Sequence, residues 1–205
     1  MKRRFPSGCR LAGIDEAGRG PLAGPVTAAI CILPDPCPII GLKDSKQLAP
    51  EEREKLDEEI RSCPGVEFAV GLATSQEIDQ YNILKATFLA MHRALLQLQK
   101  APDLIIVDGN LAPSFGIPTH PIPQGDILYP QISAASILAK VLRDKIMSEF
   151  DLEYPQYNFK SHKGYGTPEH LKAIDEFGPC KIHRKSFEPI LSLFRHTQLD
   201  LLELI

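Results

Sequence analysis

Two adjacent acidic residues stand beside a glycine-rich turn in the first part of the chain. Asp15 and Glu16 end a short apolar run, and Gly18-Arg19-Gly20 follows directly after Ala17. Carboxylates are ligands for hard divalent cations. Glycines let the backbone approach a bulky molecule, and an arginine can pair with a phosphate. The stretch therefore predicts a site that holds metal ions against a phosphodiester.

Two further acids lie where strands are expected to end. Asp108 follows the apolar run at 104–107, and Asp126 follows Gly125 in a predicted loop. Each motif alone is an ordinary turn or loop sequence. However, ligands of α/β sheets bind at the carboxyl ends of strands. Acids that meet there repel one another unless a cation lies between them, so we take all four as one candidate metal site.

The side chains of Asp15 and Glu16 cannot both face one site from a regular strand, because neighbouring strand residues point to opposite faces. Either the strand ends between the two residues, or Glu16 reaches the site through the bend that begins at Gly18. We expect the strand to end between them.

The hydrophobic pattern predicts the elements that position these acids. Strands are predicted over 11–16, 26–33, 66–73 and 103–107, with a proline-broken edge strand over 117–123. Helices are predicted over 50–62, 82–99 and 132–150, and a further helix begins at the Thr167-Pro168-Glu169 cap and ends at Gly178. The order predicts an α/β core over residues 1–150 and a helical extension over 151–205, together one domain.

Composition bounds the function classes. At 205 residues, 43% of them apolar, the chain has the profile of a globular protein. No apolar run approaches the roughly 20 residues that span a bilayer, and no apolar signal core follows the basic N-terminus. We therefore expect a cytoplasmic location and no membrane. The five scattered cysteines lack any C-x-x-C spacing, which indicates reduced structural thiols rather than a zinc site.

The net charge of −3 hides an uneven distribution. The acidic run over 51–59 is interpreted as a solvated face. Basic side chains gather in the C-terminal third, where charge alone leaves open a nucleic-acid contact or a second solvated face. These are Lys160, His162, Lys163, Lys172, Lys181, His183, Arg184 and Lys185.

Taken together, the motifs resemble those of type 2 ribonuclease H, specifically bacterial ribonuclease HII, and they occur in that family's order from residue 13 to about 187. The sister type, ribonuclease HIII, carries an extra N-terminal domain and another residue at the position of Arg19. The matching segments are Gly13 to Pro21, Leu42 to Lys46, Glu77-Ile78-Asp79, Asn82-Ile83-Leu84, Val107 to Asn110, Gly125-Asp126, Ile132 to Lys140 and His162 to Tyr165.

The resemblance implies a ribonuclease H-like fold, in which helices flank a central mixed sheet and the C-terminal extension completes a substrate groove. It also implies two-metal hydrolysis of RNA paired to DNA, or of a single ribonucleotide embedded in DNA. The family's metal-binding acids fall on Asp15, Glu16, Asp108 and Asp126. Of two Mg²⁺ or Mn²⁺ ions, one would activate a water and the other would stabilise the leaving 3′ oxygen. We take Asp15 as the candidate ligand of both.

Selectivity requires a probe of the 2′-hydroxyl, which distinguishes RNA from DNA. In the family, the backbone of the turn that corresponds to Gly18-Arg19-Gly20 makes this contact, and a tyrosine that corresponds to Tyr165 stacks on the next, deoxy sugar. From the sequence alone, a half-buried packing aromatic is the preferred interpretation of Tyr165, and only the resemblance reverses it. The resemblance further places near the phosphates Lys43, Ser45, Lys46, Lys163 and Arg184. His162 and His183 could be general acids or solvated bases. Because the metal mechanism requires neither as an acid, we interpret both as solvated bases.

Two other function classes remain to be compared. An adaptor that binds nucleic acid without cleavage would be expected to have lost one or more of the acids, and this chain has all four. A DNA nuclease of the same superfold, such as a junction resolvase, has no need of the Gly18-Arg19-Gly20 turn or of Tyr165. Cleavage of an all-DNA duplex would favour the resolvase.

The C-terminal tail contains Gln198-Leu199-Asp200-Leu201-Leu202, which resembles the short peptide that docks bacterial proteins on the replicative sliding clamp. Matches of this length are common, so we prefer a leucine-rich terminal helix packed on the core. Nothing in the sequence indicates an oligomer, and a monomer is expected.

Overall fold

A five-stranded mixed sheet forms the centre of the computed structural model, which describes residues 5, 6 and 8–193. The strands are β1 (Leu11–Ala17), β2 (Val26–Ile32), β3 (Glu67–Ala73), β4 (Leu104–Asp108) and β5 (Thr119–Ile122). Their order is β3-β2-β1-β4-β5. The pairs β1–β2 and β2–β3 are antiparallel, whereas β1–β4 and β4–β5 are parallel. The predicted mixed sheet is confirmed, and the proline-broken strand β5 lies at its edge.

Seven α-helices accompany the sheet in the described part of the chain. They are α1 (Pro50–Ser62), α2 (Ser75–Tyr81), α3 (Ile83–Leu95), α4 (Gly125–Leu128), α5 (Pro130–Glu153), α6 (Phe159–His162) and α7 (Pro168–Phe177). The sequence did not predict α2, α4 or α6, because helices this short show no hydrophobic period. The predicted boundary at residue 150 falls inside α5. None of the helices in the described ranges is long and apolar enough to cross a membrane.

Strand β2 is buried on both faces, and each face packs against a different helix. Ala28 and Ile30 belong to the core that contains the α3 residues, and Ala29 and Cys31 belong to the core that contains the α5 residues. Alternation of side chains along the strand produces this division. The sheet is therefore sandwiched between α3 on one side and α5, with α1, on the other.

Helix α5 approaches β1 closely at Gly13. A Cβ atom at Gly13 would overlap the backbone of Gln131 and Ile132 at the start of α5. The small buried residues Ser133 and Ala134 follow. This close packing brings the first turns of α5 beside the end of β1, where Asp15 lies.

The segment after β1 is hydrogen-bonded to the C-terminal part of the chain. Leu22 N donates to the Gly164 oxygen at 2.8 Å, and Gly24 N donates to the Ile182 oxygen at 2.9 Å. Leu22 also packs in a core that includes Tyr157 from the C-terminal part. The turn that follows Asp15 is thus held by residues far along the chain.

All five cysteines are free thiols.

Candidate active site

Three of the predicted acids meet where strands β1 and β4 end. One carboxylate oxygen from each of Asp15, Asp108 and Asp126 lies within 4.8 Å of the other two. Strands β1 and β4 are parallel neighbours, so their carboxyl ends bring Asp15 and Asp108 together. Gly125 N donates to Asp108 Oδ1 at 2.7 Å, which ties α4 and its Asp126 to the end of β4. Ser133 Oγ donates to the Asp126 backbone oxygen at 2.6 Å.

Glu16 stands apart from this group. Strand β1 continues through both acids, with Asp15 opposite Ala29 and Glu16 opposite Ala28. The expectation that the strand ends between them is therefore wrong, because ladder pairing persists to Ala17. The side chain of Glu16 faces the α3 side, where it lines a cavity together with Asp108.

Burial and the charges of neighbouring acids raise the pKa of Asp15, Glu16 and Asp126. Burial raises the pKa of Asp15 well above its ordinary value, and the charges of Glu16 and Asp108 raise it further. Burial and then the charge of Asp108 raise the pKa of Asp126. Burial also raises that of Glu16, although Arg19 partly offsets the effect. Such a set of clustered carboxylate oxygens fits hard divalent cations.

A lysine loop lies next to the acids. Asp44 caps the short 3₁₀ turn Ser45–Gln47 by accepting from Lys46 N at 2.9 Å. Burial lowers the pKa of Lys46, but the nearby acids, among them Asp44, Asp15 and Asp126, outweigh burial and leave it raised. Lys46 and Lys43 are both exposed. The loop thus offers ammonium groups to an anion near the carboxylates.

Ser45 is turned inward instead. Its side chain is buried, and its Oγ lies 2.8 Å from Ser136 Oγ. Ser136 in turn hydrogen-bonds Asp15. The Ser45 hydroxyl joins the lysine loop to Asp15 through Ser136. Ser45 also lines the cavity that contains Gly20 and Tyr165, so its predicted place near the phosphates stays a prediction. Ser136 was not singled out from the sequence, since one serine in a run of small residues gives no signal.

Arg184 requires a correction. It was predicted to lie near the phosphates, but its side chain is 0% exposed. Its guanidinium donates to the oxygens of Gly18 at 2.6 Å, Arg19 at 2.9 Å and Gly24 at 3.0 Å. Burial lowers the pKa of Arg184 to about 9. Arg184 therefore supports the glycine turn from the protein interior, since its N–H groups donate to backbone carbonyls of the turn and of the segment that follows it.

A second buried arginine, Arg143 of α5, supports the same region. It donates to the oxygens of Pro25 and Ala23, both at 3.1 Å, and of Lys163 at 2.9 Å. The sequence carried a signal for it, since Arg143 continues a buried stripe of α5 between Ser136 and Met147 at helical spacing. An arginine on such a face needs acceptors.

Lys163 points its ammonium group at α5. Its Nζ donates to Ser148 Oγ at 2.9 Å and to the Asp144 backbone oxygen at 3.4 Å. These partners compete with a phosphate, so a phosphate contact of Lys163 stays a prediction.

Gly20 and Tyr165 lie side by side at the mouth of the site. A Cβ atom at Gly20 would lie 3.8 Å from Tyr165 Cε1. The tyrosine is 47% exposed. Both residues line one cavity together with Glu16, Arg19 and Lys46. The structure therefore places the glycine turn, the tyrosine and one of the four acids, Glu16, around a common space.

The histidines differ from the expectation of solvated bases. His183 is buried, and His162 is partly buried. Both contact His170, a residue that the sequence did not single out: His162 stacks on its ring, and the ring of His183 is tilted against it. Nothing in their spacing along the chain indicated that they meet.

Comparison with known proteins places this chain in a family. A family model described as Ribonuclease HII matches residues 12–190. A curated ribonuclease HII from Polaromonas sp. is 54% identical over 185 residues, which cover 90% of this chain and 92% of that relative.

Two solved structures agree with this match. The ribonuclease H2 of Pyrococcus horikoshii OT3 superposes with a TM-score of 0.75 at 29% identity, covering 92% of this chain and 98% of that one. The ribonuclease HII of Archaeoglobus fulgidus, solved in a complex with PCNA, gives 0.73 at 25% identity, covering 87% and 95%. The ribonuclease H-like fold is confirmed, and the chain belongs to the ribonuclease HII family of ribonuclease H endonucleases.

Proposed function

We propose that this enzyme hydrolyses the RNA strand of RNA–DNA hybrids and cuts on the 5′ side of single ribonucleotides embedded in duplex DNA. The products carry 5′-phosphate and 3′-hydroxyl ends. One observation carries the proposal: Glu16 lines one cavity with Asp108, a member of the carboxylate cluster, and another cavity with Gly20 and Tyr165. Acids that can hold metal ions against a phosphodiester and residues that can contact a sugar thus adjoin each other at Glu16.

Two divalent ions, Mg²⁺ or Mn²⁺, are the proposed cofactors, and Asp15, Glu16, Asp108 and Asp126 would hold them. When bound, these ions supply the charge that activates water and stabilises the leaving 3′ oxygen. Asp15 is the proposed ligand of both ions. Its pKa is raised by Glu16 as well as by Asp108, which supports a position between the other acids. Near-normal activity of Asp15→Asn at saturating Mg²⁺ would contradict this assignment.

The other side chains bind and orient the substrate. The ammonium groups of Lys43 and Lys46 attract the phosphates. The backbone of Gly18-Arg19-Gly20 faces the 2′-hydroxyl, for which a side chain at Gly20 would be an obstruction. The guanidinium of Arg19 lies 3.3 Å from Glu16 Oε1, so Arg19 acts in this reading through its backbone rather than as a phosphate clamp.

Tyr165 stacks on the deoxy sugar that follows a single ribonucleotide. Its exposure and its place against Gly20 support this role. The helical extension from residue 151 onward supplies Tyr165, and we propose that it completes the substrate groove. Ribonucleotide removal during replication and repair, in the bacterial cytoplasm, is the corresponding cellular task.

The tail is a separate proposal, because Gln198-Leu199-Asp200-Leu201-Leu202 lies outside the described residues. The archaeal relative forms a complex with PCNA, which supports docking of this segment on a replicative sliding clamp. Binding of a peptide of residues 196–205 to the purified clamp, lost on Gln198→Ala, tests the docking. A peptide that does not bind would favour a helix packed on the core.

The carboxylate site can be tested without any assumption about selectivity. The variants Asp15→Asn, Asp108→Asn and Asp126→Asn should each remove cleavage of a long hybrid while the hybrid still binds. Asp103→Asn is the matched control, since Asp103 only accepts from Arg10 N at 2.8 Å, away from the cluster. Hybrid cleavage that survives in Asp108→Asn would contradict the proposed site.

A further inference from the structure

A buried pair of histidines lies beneath the Tyr165 loop, outside the carboxylate site. His170 is 0% exposed and His183 is 2% exposed. His170 Nδ1 lies 2.9 Å from the Tyr165 oxygen, and His170 Nε2 lies 3.0 Å from His183 Nε2. His183 Nδ1 lies 2.9 Å from Cys180 N. These contacts form a continuous chain from Cys180 to the backbone of Tyr165.

The backbone groups at its two ends fix the direction of this chain. The Tyr165 oxygen can only accept, so His170 Nδ1 carries the hydrogen. A neutral ring then leaves His170 Nε2 as an acceptor, and His183 Nε2 must donate to it. His183 Nδ1 is thereby an acceptor, and Cys180 N is a donor that satisfies it. Any other tautomer brings two hydrogens or two lone pairs face to face.

The burial of both rings agrees with this assignment. Desolvation lowers the pKa of His170 to about 4 and that of His183 to about 4. Both rings are therefore neutral near pH 7, as the chain of hydrogen bonds requires.

The third histidine holds the other side of the same loop. Gly164 N donates to His162 Nδ1 at 3.2 Å, and His162 Nε2 lies 2.8 Å from the Tyr157 oxygen. The ring of His162 stacks on that of His170 at 4.4 Å. Tyr165 N donates to the His162 oxygen at 3.0 Å. The backbone of Tyr165 is consequently held at its N–H and at its C=O.

The histidine chain also reaches the glycine turn. His183 pairs with Ala23 in an isolated antiparallel bridge, and the next residue, Arg184, donates to the Gly18 oxygen. One short segment therefore touches both the support of Tyr165 and the support of the Gly18–Gly20 turn. The spacing between the tyrosine ring and the turn depends on this segment.

We propose that His170 and His183 are positioning residues for Tyr165, because their hydrogen bonds fix the tyrosine backbone against the glycine turn. The inference rests on the proposed role of Tyr165 in contacting the deoxy sugar after a single ribonucleotide. Neither histidine touches the substrate. Their effect is on selectivity, namely the ratio of kcat/KM for a single embedded ribonucleotide to kcat/KM for a long hybrid, whose cleaved strand has no deoxy sugar.

The tautomers can be tested in the unmodified protein. Nitrogen-15 NMR of the histidine side chains near pH 7 should show His170 protonated at Nδ1 and His183 protonated at Nε2. Assignment of the opposite tautomer to either ring would overturn the inference, and this outcome does not depend on any variant being able to fold.

The selectivity can be tested with two matched variants. Asn can place an amide donor close to the position of His170 Nδ1, whereas Leu cannot. His170→Leu should lower the selectivity ratio about tenfold or more, and His170→Asn should restore most of it. If His170→Leu does not fold, His183→Gln, which keeps a donor near Nε2, is compared with His183→Met in the same way.

The result separates this inference from the proposed function. A ratio that falls in Tyr165→Ala but stays unchanged in His170→Leu overturns the positioning role and leaves the role of Tyr165 intact. A ratio unchanged in Tyr165→Ala contradicts the proposed function itself.

Discussion

The buried guanidinium of Arg184 donates to the carbonyl oxygen of Gly18 at 2.6 Å, although the two residues lie 166 positions apart in the sequence. Arg143 of α5 donates to neighbouring carbonyls of the same segment. The glycine turn thus has its shape fixed from the protein side. In the proposed function, its outer surface would face the substrate backbone.

Replacement of Arg184 should alter stability but not the number of phosphate contacts. Arg184→Met leaves several buried carbonyls without donors, so the free energy of unfolding should fall by about 3 kcal/mol. The slope of log Kd for a hybrid against log salt concentration should stay at the wild-type value. Lys46→Ala should instead reduce the slope by about 1. A reduced slope in Arg184→Met would show that Arg184 does contact a phosphate, which its burial argues against.

The two glycines of the turn should respond differently to alanine. Gly18 has φ +96, and a Cβ there would overlap Arg143 Nε, so Gly18→Ala should cost at least about 2 kcal/mol of stability. Gly20 has room for a methyl group, and Gly20→Ala should unfold like the wild type. Its cleavage at a single ribonucleotide should nevertheless fall, because the methyl group stands where the minor groove approaches. Urea unfolding and the cleavage assay, applied to both variants, check these expectations. Wild-type cleavage by Gly20→Ala would argue against a close approach of the substrate to Gly20.

Tyr165 should matter for cleavage much more than for folding. Its side chain is half exposed, so Tyr165→Ala should change the free energy of unfolding by only about 0.5 kcal/mol. Cleavage at a single ribonucleotide should fall about tenfold or more, and Tyr165→Phe, which keeps the ring, should retain most of it. Equal losses of stability and of cleavage would return Tyr165 to a packing role.

Protein stability should fall in mild acid because of the buried histidines. His170 and His183 titrate near 4 when folded, against an ordinary value of 6.5, and the groups that face them are His162, Cys180 and Tyr157. The unfolded chain therefore binds more protons between pH 6.5 and 4. Each histidine should cost up to about 1.4 kcal/mol per pH unit in that range.

Urea midpoints measured at about pH 7 and at about pH 5 check this dependence. The fall should be smaller in His170→Asn than in the control His120→Asn, whose residue lies in the edge strand β5. A fall of the same size in both variants would show that other groups cause it.

The sheet and the long helices were predictable from the sequence. Strand β2, buried on both faces, is a nearly continuous apolar run, whereas α3, buried on one face, repeats apolar residues at helical spacing. The convergence of Asp15, Asp108 and Asp126 was also predictable, since each acid follows a strand or a glycine at an expected strand end. The continuation of β1 through Glu16 was not predictable. Cross-strand pairing with Ala28 decides it, and that partner lies in another element.

The supporting residues were the hardest to foresee. Arg184 and His183 have the composition of a basic surface segment, yet both are buried because backbone carbonyls and a second histidine satisfy them. Those partners, such as Gly18 and His170, are distant in sequence or unremarkable in type. Only the packing of the C-terminal part on the segment after β1 reveals them.

The central claim is that the carboxylate cluster cuts a strand at a place chosen by the glycine turn and Tyr165. The most direct measurement uses duplex DNA with one embedded ribonucleotide, purified enzyme and Mg²⁺ or Mn²⁺, followed by identification of both new ends. We predict one cut on the 5′ side of the ribonucleotide, leaving a 3′-hydroxyl and a 5′-phosphate, with no cleavage of the same duplex made entirely of DNA. A cut on the 3′ side, a cyclic phosphate end or cleavage of the all-DNA duplex would contradict it.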